Sequence, residues 1–304
     1  MKARPEQRPG RLGVGVIGAG RVGAVLASAL RAAGHAVLGA SAVSRESLDR
    51  VDALLPGVPV LEIPKVVERA ELVLITVPDD ALPELVAGLA ATGAWQPGQL
   101  VVHTSGRFGW RVLEPAVAGG AIPLALHPAM TFSGTSLDLS RLAECSFGVT
   151  APGPVLPIAQ ALVVEMGAEP VVIAEEMRGL YHSALAHGSN HLVTLVAQAL
   201  DLLHAAGVES PGRMLGPLLS AALDNALRSG DAALTGPVAR GDAGTVASHV
   251  RAIGLADQAV GGSASVLQTY RAMARATADR ALASGRLRPD AAEALLDALR
   301  SDVK

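Results

Sequence analysis

The feature that most restricts the fold is Gly18-Ala19-Gly20-Arg21-Val22-Gly23. It lies between an apolar run at residues 12–17 and a stretch in which Val22, Val25, Leu26, Ala29 and Leu30 recur at helical spacing. A strand that ends in glycines and feeds a helix is the turn of a βαβ unit. Gly18 permits the tight turn, Gly20 a close backbone approach to a pyrophosphate, and Gly23 close packing of helix on sheet. The opening N–H groups of that helix, from Arg21 and Val22 onward, then face the phosphate with a positive dipole end.

The pattern repeats downstream. Residues 35–43, 72–77, 100–103, 121–126, 147–150 and 171–173 read as further strands, separated by helical segments. Such alternation predicts right-handed crossovers and a mostly parallel sheet. From Met177 onward the strand signals stop. Residues 180–206 form one long, mostly apolar stretch, read as a buried central helix. Further helices follow at 214–227, after the N-cap candidate Asp242, around Val266, Tyr270 and Met273, and from Pro289. The expected organisation is a tail at 1–11, a sheet domain at 12–174 and an all-helical domain at 175–304.

Composition narrows the function. A net charge of −3 and 2% aromatic residues leave neither a basic stripe nor stacking platforms for nucleic acid. The one cysteine, Cys145, excludes a disulfide framework and a Cys-rich zinc site. His187 and His191 are four apart, but without H-E-x-x-H or a third ligand no metal is expected. No run reaches the roughly 18 apolar residues of a membrane span. The apolar run after the basic start, residues 12–20, is short, glycine-rich and interrupted by Arg21, unlike a signal peptide. The expectation is a cytoplasmic protein with no membrane or nucleic-acid partner, and the apolar helical half suggests a homodimer.

Three strand ends carry polar residues: Val77-Pro78-Asp79-Asp80, His103-Thr104-Ser105-Gly106 and His127-Pro128. In an open parallel sheet these ends line the ligand crevice. Val77, Pro78, Asp79 and Thr104 are therefore assigned to the cofactor, and Ser105 and His127 to chemistry. The second strand chooses the cofactor. No acid stands between Gly34 and Arg45; Ser41, Ser44 and Arg45 occupy the region instead. Ser44 and Arg45 suit a 2′-phosphate, which favours NADP(H) over NAD.

Gly18–Gly23, Thr76-Val-Pro-Asp-Asp80, His103-Thr-Ser-Gly106, Leu126-His-Pro-Ala-Met-Thr-Phe132, Tyr181-His182 with Ser189-Asn190, and Leu234-Thr-Gly-Pro with Arg240-Gly-Asp242 occur in order across both halves, and the resemblance they carry covers about residues 13–283. The chain in this respect resembles Rossmann-like proteins carrying a DUF2520 C-terminal domain. These are similar to pyrroline-5-carboxylate reductase, ketopantoate reductase and the β-hydroxyacid dehydrogenases. The resemblance implies an α/β Rossmann-like sheet domain followed by a helical substrate or dimerisation domain. It further implies reduction of a small carboxylate-bearing carbonyl or imine, with ketopantoate the first candidate.

The related dehydrogenases carry Lys and Asn four residues apart on the first C-terminal helix. Asn190 fits the Asn, but the Lys position is Ala186, and no lysine occurs between Lys65 and Lys304. Histidine is the natural substitute as proton donor. His127 or His187 would act as general acid, Asn190 would orient the carbonyl, and Arg240 would clamp the substrate carboxylate. The missing Lys also leaves open a non-catalytic NADP(H)-binding regulatory or assembly protein.

Overall fold

The computed structural model describes residues 11–260 and 266–300. It divides into two compact units, residues 1–188 and 189–304. The division falls within one long helix, later than the expected boundary after residue 174. The expected tail at residues 1–10 lies outside the described residues. Arg11, assigned to that tail, is instead held in place, since it pairs with Glu165 at 3.0 Å.

The first unit alternates strand and helix through β1 (Gly13–Ile17), α1 (Arg21–Ala32), β2 (Ala36–Ser41), α2 (Arg45–Leu54), α3 (Ile63–Arg69), β3 (Leu72–Ile75), α4 (Leu82–Ala91), β4 (Leu100–His103) and α5 (Glu114–Ala118). It continues through β5 (Ile122–Pro128), α6 (Leu137–Leu142), β6 (Ser146–Thr150), α7 (Leu156–Glu165) and β7 (Glu169–Val172). The seven strands form one sheet in the order β2-β1-β3-β4-β5-β6-β7. The first five are parallel, β6 runs antiparallel to β5, and β7 runs parallel to β6. Strand order reverses between β1 and β3, the switch point where open α/β sheets bind ligands beyond their strand ends.

Side-chain alternation explains why both faces are covered. Val14, Val16, Leu72, Leu74, Val102 and Leu126 join one apolar layer with residues of α1, α2 and α7. Ile17, Val73, Ile75 and Val101 point the other way, into a layer with α3, α4 and α5. Strands buried on both faces read as continuous apolar runs, which is why they stood out in the sequence.

The helix α8 (Arg178–Ala205) crosses from the first unit into the second. After it come α9 (Pro211–Ser229), α10 (Gly236–Arg240), α11 (Ala243–Val260), α12 (Val266–Ala283) and α13 (Pro289–Arg300). The second unit's core is small and alanine-rich: Ala239, Val246, Val250, Ala274, Ala278, Ala281, Leu295 and Leu299 gather from α10 to α13. The expected buried central helix is corrected here. The only buried residue of α8 is Arg178, and the only one of α9 is Pro211. Its apolar residues are present, but within the chain they are exposed or only half-buried.

Candidate functional site

The glycine turn has the geometry its spacing implied. Gly18 adopts φ +86°, a left-handed conformation that L side chains rarely adopt. Its N–H donates to the Ser41 hydroxyl at 3.0 Å, and the Thr76 hydroxyl donates to its carbonyl at 2.5 Å. A β-carbon on Gly23 would fall on the Thr76 hydroxyl and 2.5 Å from the Gly18 oxygen, whereas one on Gly20 would meet nothing nearer than 4.0 Å. Gly23 is thus fixed by packing, and Gly20 faces open space. The start of α1 at Arg21 and Val22 has no side-chain cap and no acid in its first turn. Val77 lies against the turn, 3.3 Å from where a Gly18 β-carbon would stand. Pro78 and Asp79 turn the chain into α4 through carbonyl bonds to the N–H groups of Ala81 and Leu82. The Thr104 N–H donates to the Ile75 carbonyl, keeping the end of β4 in register beside them.

Beyond β2, Ser44 and Arg45 stand at the start of a helix. Ser44 is the N-cap of α2 and its hydroxyl oxygen accepts the Ser47 N–H at 3.2 Å. Arg45 is the first helical residue, 87% exposed, with Nε 3.3 Å from Asp49. The signal was legible as Ser44 followed by Glu46 in the first turn, since capping serines precede acids at helix starts.

The two strand-end histidines differ in role. His103 is fully buried: its Nδ1 accepts the Ser105 N–H at 3.2 Å and its Nε2–H donates to the Gly109 carbonyl at 2.8 Å. Both ring nitrogens are used to hold the turn. The Ser105 hydroxyl oxygen likewise accepts the N–H groups of Arg107 and Phe108. Burial, above all, pushes the His103 imidazole down to about 3. His127, the penultimate residue of β5, instead places Nδ1 2.9 Å from the Tyr181 hydroxyl. Burial first, then Arg178 and His182, lower its imidazole to about 4, so at neutral pH it is an uncharged ring.

Sequence reasoning placed Tyr181 and His182 only within a motif and gave no role to Arg178. All three belong to the first turns of α8, which pack on the sheet. A β-carbon on Gly148, which pairs with His127 across β5 and β6, would strike the Tyr181 hydroxyl at 2.6 Å. A β-carbon on Gly106 would strike both His182 and His127. The two glycines therefore create the space in which the rings meet: His127 stands edge-on to Tyr181 and to His182, with centroids 5.6 and 5.7 Å away. Arg178 is 1% exposed; its Nε donates to the Thr150 hydroxyl at 3.0 Å and one Nη to the Ala125 carbonyl at 3.1 Å.

His187 and Asn190 lie further along α8 and are exposed. They are three residues apart and share a helix side. Arg240 ends α10, is exposed, and forms no ion pair among the described residues. Asp242 caps α11 by accepting the Thr245 N–H at 3.0 Å, as its position suggested. Among the described residues no group of three or more His, Cys, Asp or Glu could hold a metal ion. No helix among them is long and apolar enough to cross a membrane.

A doubly covered sheet with a glycine turn at its switch point defines the Rossmann-like class. Residues 2–128 match the Rossmann-like domain family, and residues 145–277 match DUF2520, a domain of unknown function. The chain thus carries a Rossmann-like domain followed by a DUF2520 domain. No curated protein matches it. Among solved structures, a proposed NADP oxidoreductase from Bacteroides fragilis is similar with a TM-score of 0.72 at 22% identity, over 88% of this chain and 98% of that one. A protein from Thermotoga maritima has a TM-score of 0.64 at 20% identity, over 90% and 99%. The reductive aminase of Aspergillus terreus, in complex with NADPH and ethyl levulinate, has a TM-score of 0.62 at 18% identity, over 94% and 98%. At these identities the likeness is one of fold.

Proposed function

We propose that the protein is an NADP(H)-dependent reductase acting on a small carboxylate-bearing carbonyl or imine, with a 2-oxo acid such as ketopantoate the first substrate to try. The observation that carries the reading is one sheet edge with two features. An uncapped helix start behind a glycine turn stands at the switch point, and the His127–Tyr181 hydrogen bond stands at the end of β5. The first feature fits a dinucleotide: Gly20 leaves room for a pyrophosphate, and the N–H groups at Arg21 and Val22 have no cap of their own. The bound dinucleotide would supply a hydride. Val77, Pro78, Asp79 and Thr104 would line its path along the strand ends, and Ser44 and Arg45 would meet a 2′-phosphate.

The chain's own groups handle the proton and the substrate. His127 is uncharged near neutral pH, so it works as a relay through Tyr181 rather than as a free imidazolium acid. Asn190 would orient the reacting group, with His187 on the same side of the helix. Arg240 would grip the carboxylate. The names of the similar structures, an NADP oxidoreductase and a reductive aminase bound to NADPH, support the same chemistry. The test is NADPH binding by fluorescence, followed by NADPH oxidation against a panel of 2-oxo acids and cyclic imines. Turnover that collapses in His127→Ala by roughly 10²-fold or more supports the reading. Tight NADPH binding with no turnover on any panel member favours the regulatory alternative.

A further inference from the structure

Arg178 is a permanent cation removed from water with no carboxylate within ion-pairing distance among the described residues. Two of its nitrogens are bonded, and Nη1 has no protein partner. Burying an unpaired charge is unfavourable, so its field acts on whatever lies beside it. Tyr181 lies there, its ring centroid 5.8 Å from the guanidinium carbon, and the Tyr181 hydroxyl meets His127. On the reductase reading above, we propose that Arg178, Tyr181 and His127 form a proton-donating unit matched to a carbonyl oxygen, so that the enzyme reduces neutral or anionic carbonyl compounds in preference to protonated imines.

The argument is electrostatic. A bound reduced dinucleotide would supply the hydride to a carbonyl carbon, and the C=O π pair would move to oxygen. The Tyr181 O–H proton passes to that oxygen and leaves a phenolate. Arg178 favours the phenolate by its charge, and His127 Nδ1–H can then return a proton to it while Nε2 takes one from solvent. The sum is one hydride and one solvent proton added across the C=O bond. Negative charge is thus made where a buried cation already waits. A protonated imine would bring positive charge to the same place.

Among the other groups around the unit, Glu175 offsets part of the Arg178 charge and Cys145 works against the Tyr181 phenolate. His103 and His127 are neutral, and His182 is edge-on to His127. Glu175, on the turn before α8, is held by the N–H groups of Trp110 and Arg111 at 2.9 and 3.3 Å. Asp80, in the turn between β3 and α4, pairs with Arg107 at 3.6 Å. Burial raises the Tyr181 phenol, and Arg178 is the largest influence pulling it back down.

The experiment compares a 2-oxo acid and a cyclic imino acid of matched size with the full chain and NADPH. The expected result is a kcat/KM for the carbonyl about 100-fold or more above that for the imine, since like-charge juxtaposition is strongly penalised. Tyr181→Phe should lower kcat by roughly 10²–10⁴-fold with KM and NADPH binding nearly unchanged. A second readout needs no turnover. The chain has two tyrosines, so in a Tyr270→Phe background the ultraviolet titration of phenolate reports Tyr181 alone. Arg178→Met should move that titration to higher pH, and Arg178→Lys should restore it. Preferred turnover of the imine, or full carbonyl turnover in Tyr181→Phe, overturns the proposal and leaves the reductase reading standing. Turnover of neither substrate overturns both. An unmoved titration in Arg178→Met removes Arg178 from the unit; if that variant does not fold, the substrate ratio and Tyr181→Phe decide.

Discussion

At Gly20 and Gly23 one added methyl group has opposite consequences. Gly23→Ala drives a β-carbon into the Thr76 hydroxyl and the Gly18 carbonyl, and the latter is backbone that cannot step aside. Overpacking of this kind costs about 1–3 kcal/mol, so chemical denaturation should show a less stable protein. Gly20→Ala meets no protein atom, and its φ of −74° suits any residue. Stability should hold while NADPH affinity falls roughly ten-fold or more, about 1.4 kcal/mol, because the methyl occupies the pyrophosphate's approach. Loss of stability without loss of binding in Gly20→Ala would contradict the cofactor assignment. The buried histidines give a second residue-scale outcome. His103 ionises near 3 in the folded chain and near 6.5 when unfolded. The unfolded chain therefore takes up its proton first as pH falls, and stability present above about 6.5 declines toward pH 3. On the order of 3 kcal/mol should be lost between pH 6.5 and 4, and His103→Gln should flatten that slope in thermal melts. The glycine turn was legible because its physics is local. Arg178 and Tyr181 were not, because their partners Ala125, Gly148 and Thr150 lie on strands far back in the chain.

At the scale of elements, strands were read almost to the residue where both faces are buried, as in β4 (Leu100–His103). The reversal of β6 against β5 was not readable, since the short α6 between them carries no mark of a hairpin or a crossover. The start of α2 matters most for function, because Ser44 and Arg45 serve the helix as well as the proposed phosphate. Ser44→Ala removes the cap to Ser47 and should cost about 1 kcal/mol of stability. Arg45→Ala breaks only an exposed pair with Asp49, which contributes under about 1 kcal/mol. Stability in Arg45→Ala should therefore be unchanged. Any change in the ratio of NADPH to NADH affinity is then attributable to the phosphate alone. A charged hydrogen bond of about 1.5–3 kcal/mol predicts a loss of preference of about ten-fold or more. Equal affinities in the unaltered protein, or an unchanged ratio in Arg45→Ala, would return Arg45 to an ordinary surface role.

For the whole molecule the question is what covers α8 and α9. The core of the second unit is built by α10 to α13 alone. Val193 on α8 and Met214, Leu218, Leu223 and Leu227 on α9 stay exposed, Leu218 at 65% and Leu227 at 79%. Scattered exposed leucines need no explanation, but two successive long helices whose only buried apolar side chain is Pro211 do. The sequence pattern called α8 a buried helix because periodicity reports apolar residues, not which chain supplies their partners. We propose a second copy of this chain as the partner, packed through these helices about a two-fold axis. In such an interface each residue is used twice. Burying one leucine contributes about 1.5–3 kcal/mol, so a single substitution counted twice weakens the dimer by about 3–6 kcal/mol, or roughly 10²–10⁴-fold in Kd. Light scattering on the full chain should give twice the monomer mass at micromolar concentration. Leu218→Glu should shift it to monomer while thermal unfolding of the sheet unit, followed through Trp95 and Trp110, stays where it was. A monomeric unaltered chain, or a dimer indifferent to Leu218→Glu, would show that α8 and α9 are covered by something other than a second copy.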